Sequence, residues 1–182
     1  MAIEGADAVL NFWFQELTTK QWFVKDDSVD QRIRQRFLVT HRAASQCELA
    51  HWRETPEGRL AEVIVLDQFS RNLFRGEAGA FAQDALALAL AQEAIRTRAD
   101  RSLPPAQRAF LYMPFMHSES KTIHEEAVKL FAQPGLENNL DFERRHKAII
   151  DRFGRYPHRN AVLGRKSTPE EVEFLKSPGS SF

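Results

Sequence analysis

Apolar residues recur along this chain at helical spacing and almost nowhere at the alternation of a strand. Val9, Leu10, Trp13, Phe14 and Leu17 predict a first helix over 6–17. Gln21-Trp22-Phe23 reads as an apolar anchor in the connection that follows. Ser28 with Gln31 three residues on makes a capping box, and Val29, Ile33, Phe37, Thr40 and Ala44 stripe a second helix. Thr55-Pro56 is a helix start with proline at the first helical position, continued by Leu60, Val63, Ile64, Leu66 and Phe69. Residues 80–96 alternate Ala and Leu in places, but alanine's poor strand propensity and the length of the segment decide for helix.

Pro104-Pro105 opens a further helix, which Pro114 is expected to kink or end because it has no amide to donate. Ile123, Ala127, Val128, Leu130 and Phe131 mark the next, stopped near Pro134-Gly135. Phe142, His146, Ile149, Ile150 and Phe153 stripe another, closed by Pro157. Thr168-Pro169-Glu170-Glu171 starts a short last helix, and 177–182 reads as a frayed tail. The expectation is an all-α protein, one domain over 1–182, with about eight antiparallel helices. Its core is expected to include Phe12, Trp13, Phe37, Ile64, Phe69, Leu111, Phe131, Ile150 and Phe153.

Composition narrows the function classes. Lys and Arg together match Asp and Glu at 25 each, so no bulk electrostatic pull on nucleic acid or anionic lipid is expected. The single Cys47 excludes an internal disulfide and a Cys-rich metal site, which fits a reducing compartment. Neither a signal peptide nor an apolar stretch of membrane-spanning length is read. The expected setting is the cytoplasm.

Two stretches carry the chemistry. Asp67-Gln68-Phe69-Ser70-Arg71-Asn72-Leu73-Phe74-Arg75 and Asp151-Arg152-Phe153-Gly154-Arg155-Tyr156-Pro157-His158-Arg159 both fit Asp-x-Phe-x-Arg-x-x-x-Arg. Each follows an aliphatic run that should end a packed helix, and their recurrence suggests a repeated helical architecture. Val9 to Phe14, Leu66 to Asn72, Tyr112 to Glu119 and Phe153 to Thr168 resemble the signature blocks of a bacterial family, domain-of-unknown-function family 924. The resemblance spans about 8–175 and implies a tetratricopeptide-like all-helical fold with a shared polar set, but no activity. Ser120 to His124 depart from the acidic or amide-containing turn of that family.

Guanidinium groups bind carboxylate or phosphate bidentately and keep their charge, so converging arginines are a common way to hold an anion. One wall of a candidate cleft comprises Asp67, Gln68, Arg71 and Asn72, the other Arg155, His158, Arg159 and Asn160. His117 and Glu119 complete it, with Glu119 or Asp67 as candidate base. The competing reading is structural, with Asp67–Arg71 and Asp151–Arg155 as intrahelical pairs. Ser118 lacks the glycines of a nucleophile elbow. His117, Glu119, His124 and His146 offer ligating atoms, but no spacing places two on one helical face, so neither a metal nor a cofactor is expected. His146, inside an apolar stripe, reads first as a hydrogen-bonded core residue. The expected partner is a small anion, or a peptide carboxylate if the chain is an interaction scaffold.

Overall fold

The computed structural model describes residues 2–182; Met1, part of the expected single domain, lies outside the described residues. The regular elements among them are all helical. They are α1 (Ala6–Asn11), α2 (Asp27–Ser45), α3 (Pro56–Ile64), α4 (Ser70–Leu73), α5 (Asp84–Arg96), α6 (Pro105–His117), α7 (Lys121–Phe131), α8 (Glu137–Phe153) and α9 (Pro169–Phe174). The wider turns of a π-helix extend α1 over Phe12–Glu16 and join α3 to α4 over Val65–Phe69. With α3 and α4 read as one rod, eight helical rods result. α3 packs against α1, α5 and α6, and α5 to α8 pack successively on one another.

The ends of the rods follow local chemistry. The Asp26 carboxylate caps α2, its Oδ1 accepting from the amides of Ser28 and Val29 at 2.9 and 3.3 Å. Ser28, the expected cap, donates its hydroxyl to the same oxygen at 2.7 Å. A carboxylate is the better cap because it also meets the positive end of the helix dipole. Thr55 caps α3 by accepting from Gly58 N at 3.0 Å. Gly58 has no substitute there, since a Cβ would stand 1.9 Å from the Trp52 carbonyl oxygen. At the predicted start of α9, Thr168 and Glu171 make a reciprocal capping box. Gly154, with φ of 70°, ends α8 in the left-handed conformation that favours glycine.

One expectation about helix ends is corrected. Of the two outcomes expected at Pro114, a kink or an end, the end does not occur: α6 continues to His117. Phe115 and Met116 are buried in the core, and their packing holds the last turn despite the missing amide. In the segment 177–182, expected as a frayed tail, two side chains make contacts with the fold. Ser180 is buried with its hydroxyl donating to the Leu175 carbonyl at 3.1 Å, and the Phe182 ring lies 3.7 Å, centroid to centroid, from the His146 ring.

The main core runs from α1 through α7. Phe12, Phe37 and Phe69 meet within 6.1 Å, and Trp13 packs on both Phe69 and Phe110. A smaller cluster joins Ile149 and Ile150 of α8 to Tyr156, with Phe153 and, from α9, Phe174 packed against it. Of the expected core, Phe153 alone is only half-buried, covered by Phe174 and by the Arg152 guanidinium.

Candidate functional site

The π turn Val65–Phe69 places Asp67 inside the protein, where it is 0% exposed. A widened turn loosens the regular backbone ladder, and Arg71 Nη1 donates to the Asp67 carbonyl at 3.2 Å. The Asp67 carboxylate accepts from Gln68 Nε2 at 2.7 Å and lies 2.7 Å from His117 Nδ1. Burial alone would raise this carboxyl, but His117, Arg71 and the hydrogen bonds outweigh it and hold it at about 2. Asp67 is therefore a fixed anion. It selects the His117 tautomer protonated on Nδ1 and leaves Nε2, on a side chain 17% exposed, to face outward.

Arginines from both motifs converge beside this pair, through a residue that neither motif contains. Arg71 forms a fork on Asp84, with Nη2 to Oδ2 at 2.9 Å, and Nη1 also reaches the Ala80 carbonyl. Arg159 approaches the same Asp84 Oδ2 at 3.5 Å and donates through Nη2 to the His117 carbonyl at 3.0 Å. Its guanidinium lies 4.5 Å from the ring centres of both Phe81 and Tyr156. Arg159 is 6% exposed, and its Nε is buried without an acceptor, as is Nδ1 of the neighbouring His158. Burial, then repulsion by Arg71, pushes Arg159 below the usual arginine value.

The remaining predicted residues lie elsewhere or are already engaged. Asn72 donates to Asp30 at 2.7 Å, beside Arg75, which forks onto the same carboxylate. Arg155 forks onto Glu171 at 2.7 and 2.8 Å, so the expected Asp151–Arg155 pair is replaced. Asp151, exposed, takes Lys147 instead. Asn160 is buried against Ser167, Glu171 and Arg165. Glu119 receives Arg165 at 2.6 and 2.9 Å and the Tyr156 amide at 2.7 Å. Burial raises its carboxyl, but Arg165 and that amide prevail and lower it, which leaves Glu119 a poor base. The two motifs are thus not structural equivalents: Asp67 is internal and paired with histidine, whereas Asp151 is a surface group.

Behind His117 lies a second buried pair. His124 Nδ1 sits 2.6 Å from Glu143 Oε1, both side chains fully buried, with His124 Nε2 at 2.8 Å from the Ser118 carbonyl and 3.2 Å from Tyr156 Oη. The Tyr156 hydroxyl donates to the Met116 carbonyl. His146 donates from Nδ1 to the Phe142 carbonyl at 2.8 Å, as a core histidine should. Burial holds His146 at about 3 and His158 at about 4, so both are neutral. Among the described residues, no three His, Cys, Asp or Glu side chains are arranged to hold a metal ion.

Residues 9–179 match the family described as bacterial protein of unknown function (DUF924). The chain belongs to this family. It is also similar to the solved structure of a protein of unknown function from Agrobacterium tumefaciens. The two are 40% identical, the match covers 94% of this chain and 96% of that one, and the TM-score is 0.90. No curated protein matches at a significant level. In this DUF924 chain, sequence reasoning missed Asp84, Phe81 and Tyr156. Asp84 had a signal, being the only charged residue between Ala80 and Gln92. A lone acid at the start of an apolar helix is easily read as a cap alone. No helix among the described residues is long and apolar enough to cross a membrane.

Proposed function

We propose that Asp67, Arg71, Asp84, His117 and Arg159 form a binding site for a small anionic molecule, with His117 Nε2 as the group that meets it. One observation carries this reading: Arg159 is buried beside a second arginine while its Nε lacks any acceptor. A cationic donor in that position costs stability unless an acceptor arrives. Gln68 and His158 border the site. Asn72, Arg155 and Asn160 drop out as ligand-binding groups and Glu119 as the candidate base, because their partners within the chain tie them to places away from His117 and Arg159. If the site is catalytic, His117 is the proton-transferring group and Asp67 positions it, since a carboxyl held at about 2 is a weak base.

The alternative is a tetratricopeptide-like scaffold that binds a peptide or partner protein. It draws on an open cleft of about 380 Å³ lined by Lys25, Arg34 and Arg75 together with Asp27, Asp30 and Glu77. A cytoplasmic setting and a single domain belong to both readings. Thermal denaturation separates them. Sulfate or succinate should stabilise the protein by RT ln(1 + [L]/Kd), about 2.7 kcal/mol at a hundredfold excess over Kd, and should not stabilise Arg159→Ala. If no anion shifts the parent while Arg159→Ala is badly destabilised, the arginines are structural and the scaffold stands.

A further inference from the structure

The charges of the site leave no surplus for a ligand. Two arginines, Arg71 and Arg159, face two carboxylates, Asp67 and Asp84, and the fork of Arg71 is engaged by Asp84. Glu119 nearby is closed by Arg165, and Glu143 on α8 faces His124. An incoming anion would therefore add an uncompensated charge beside Asp67 and Arg159, which are both buried, and that is costly. A further positive charge has to come from within the site.

The histidines around it can be taken in turn. His124 has both ring nitrogens within hydrogen-bonding distance of Glu143 and the Ser118 carbonyl. His146 donates to Phe142 and lies under the Phe182 ring, and His158 is packed against Tyr156 and Phe182. His117 differs. Its Nδ1 proton is fixed on the Asp67 carboxylate, which would offset a charge on the ring, while Nε2 has no partner and reaches the surface. An imidazolium there would supply both the missing charge and a donor aimed at the ligand.

Resting on the anion-site reading, we infer that His117 takes up a proton as the anion binds, so that the site captures an anion and a proton together. The titratable and charged groups around His117 are Asp67 from the α3–α4 rod, which touches its ring, Arg159 from the turn Pro157–Arg159, which donates to its carbonyl, and, further out, His158 with Glu143 and His146 of α8; Arg71 and Asp84 are linked to it through Asp67 and Arg159, and His124 through the Ser118 carbonyl. Of these, only Asp67 contacts its ring nitrogens.

The test is titration calorimetry of the full chain with sodium sulfate, which stays a dianion throughout, between pH 6 and 9. Each pH is measured in two buffers of different ionisation heat. Sulfate should bind with an affinity that falls about tenfold per pH unit on the alkaline side. The heat should differ between buffers by the uptake of up to one proton. His117→Gln, which keeps an amide against Asp67, should bind at the weak alkaline level with no pH dependence. A sulfate affinity that is flat with pH, or a pH dependence retained by His117→Gln, overturns proton coupling while the anion site stands. Absence of sulfate binding at every pH overturns both.

Discussion

Glu119 and Arg165 are joined by two contacts, Nη1 to Oε2 at 2.6 Å and Nη2 to Oε1 at 2.9 Å, and Oε1 also accepts from the Tyr156 amide. Residues 46 apart are thereby tied together, and the tie fixes the turn that delivers His158 and Arg159. Glu119→Gln should cost about 1–3 kcal/mol and leave sulfate binding in place, as measured by urea unfolding and calorimetry. The Glu119 carboxyl is lowered in the folded state. Its contribution is therefore present above the ordinary carboxyl range and is lost as pH falls through the folded value. A loss of anion binding with unchanged stability would instead return Glu119 to the site.

Arg155 gives the opposite outcome to a ligand-binding arginine. Its partner Glu171 is 2% exposed and is held at about 2, chiefly by Arg155 against the opposing effect of burial. Arg155→Ala leaves that carboxylate with the Thr168 amide and Asn160 alone. The expected loss is about 1–3 kcal/mol, with sulfate affinity within twofold of the parent. Chemical denaturation and calorimetry on the same variant decide the point.

Three histidines should make the fold sensitive to mild acid. Burial first, with nearby positive charge added for His41 and His158, holds His41 and His158 at about 4 and His146 at about 3. The unfolded chain protonates these residues near the ordinary histidine value of about 6.5. Their contribution is therefore complete above that value and is lost as pH falls through the window down to the folded values. The slope should approach roughly 1.4 kcal/mol per pH unit for each histidine. Urea midpoints between pH 7 and 4.5 measure it, and His146→Gln should remove about a third of the slope.

Phe182 shields two of these histidines. Its ring covers His146 at 3.7 Å and His158 at 5.1 Å while remaining 57% exposed. Phe182→Ala should cost less than about 1 kcal/mol, because little apolar surface is withdrawn from water. It should also raise the rate at which diethyl pyrocarbonate modifies His146, followed by peptide mass spectrometry. An unchanged rate would show that the ring does not limit access.

The helices and most of their ends were legible from residue order alone. Apolar spacing and caps are local properties, so Thr55-Pro56, Pro104-Pro105 and Thr168-Pro169-Glu170-Glu171 mark real starts. Two site features escaped it. The π turn at Val65–Phe69 contains no proline or glycine to announce it, yet it carries Asp67. The motif match promised two equivalent arginine clusters, but pairing was decided across the fold. Arg71 found Asp84 thirteen residues away and Arg155 found Glu171 sixteen away, while Arg159 reached Asp84 across seventy-five. Spacing specifies which side chains share a helix face. Which carboxylate neutralises which arginine depends on how the rods pack, because a buried charge takes whichever partner the tertiary structure brings within reach.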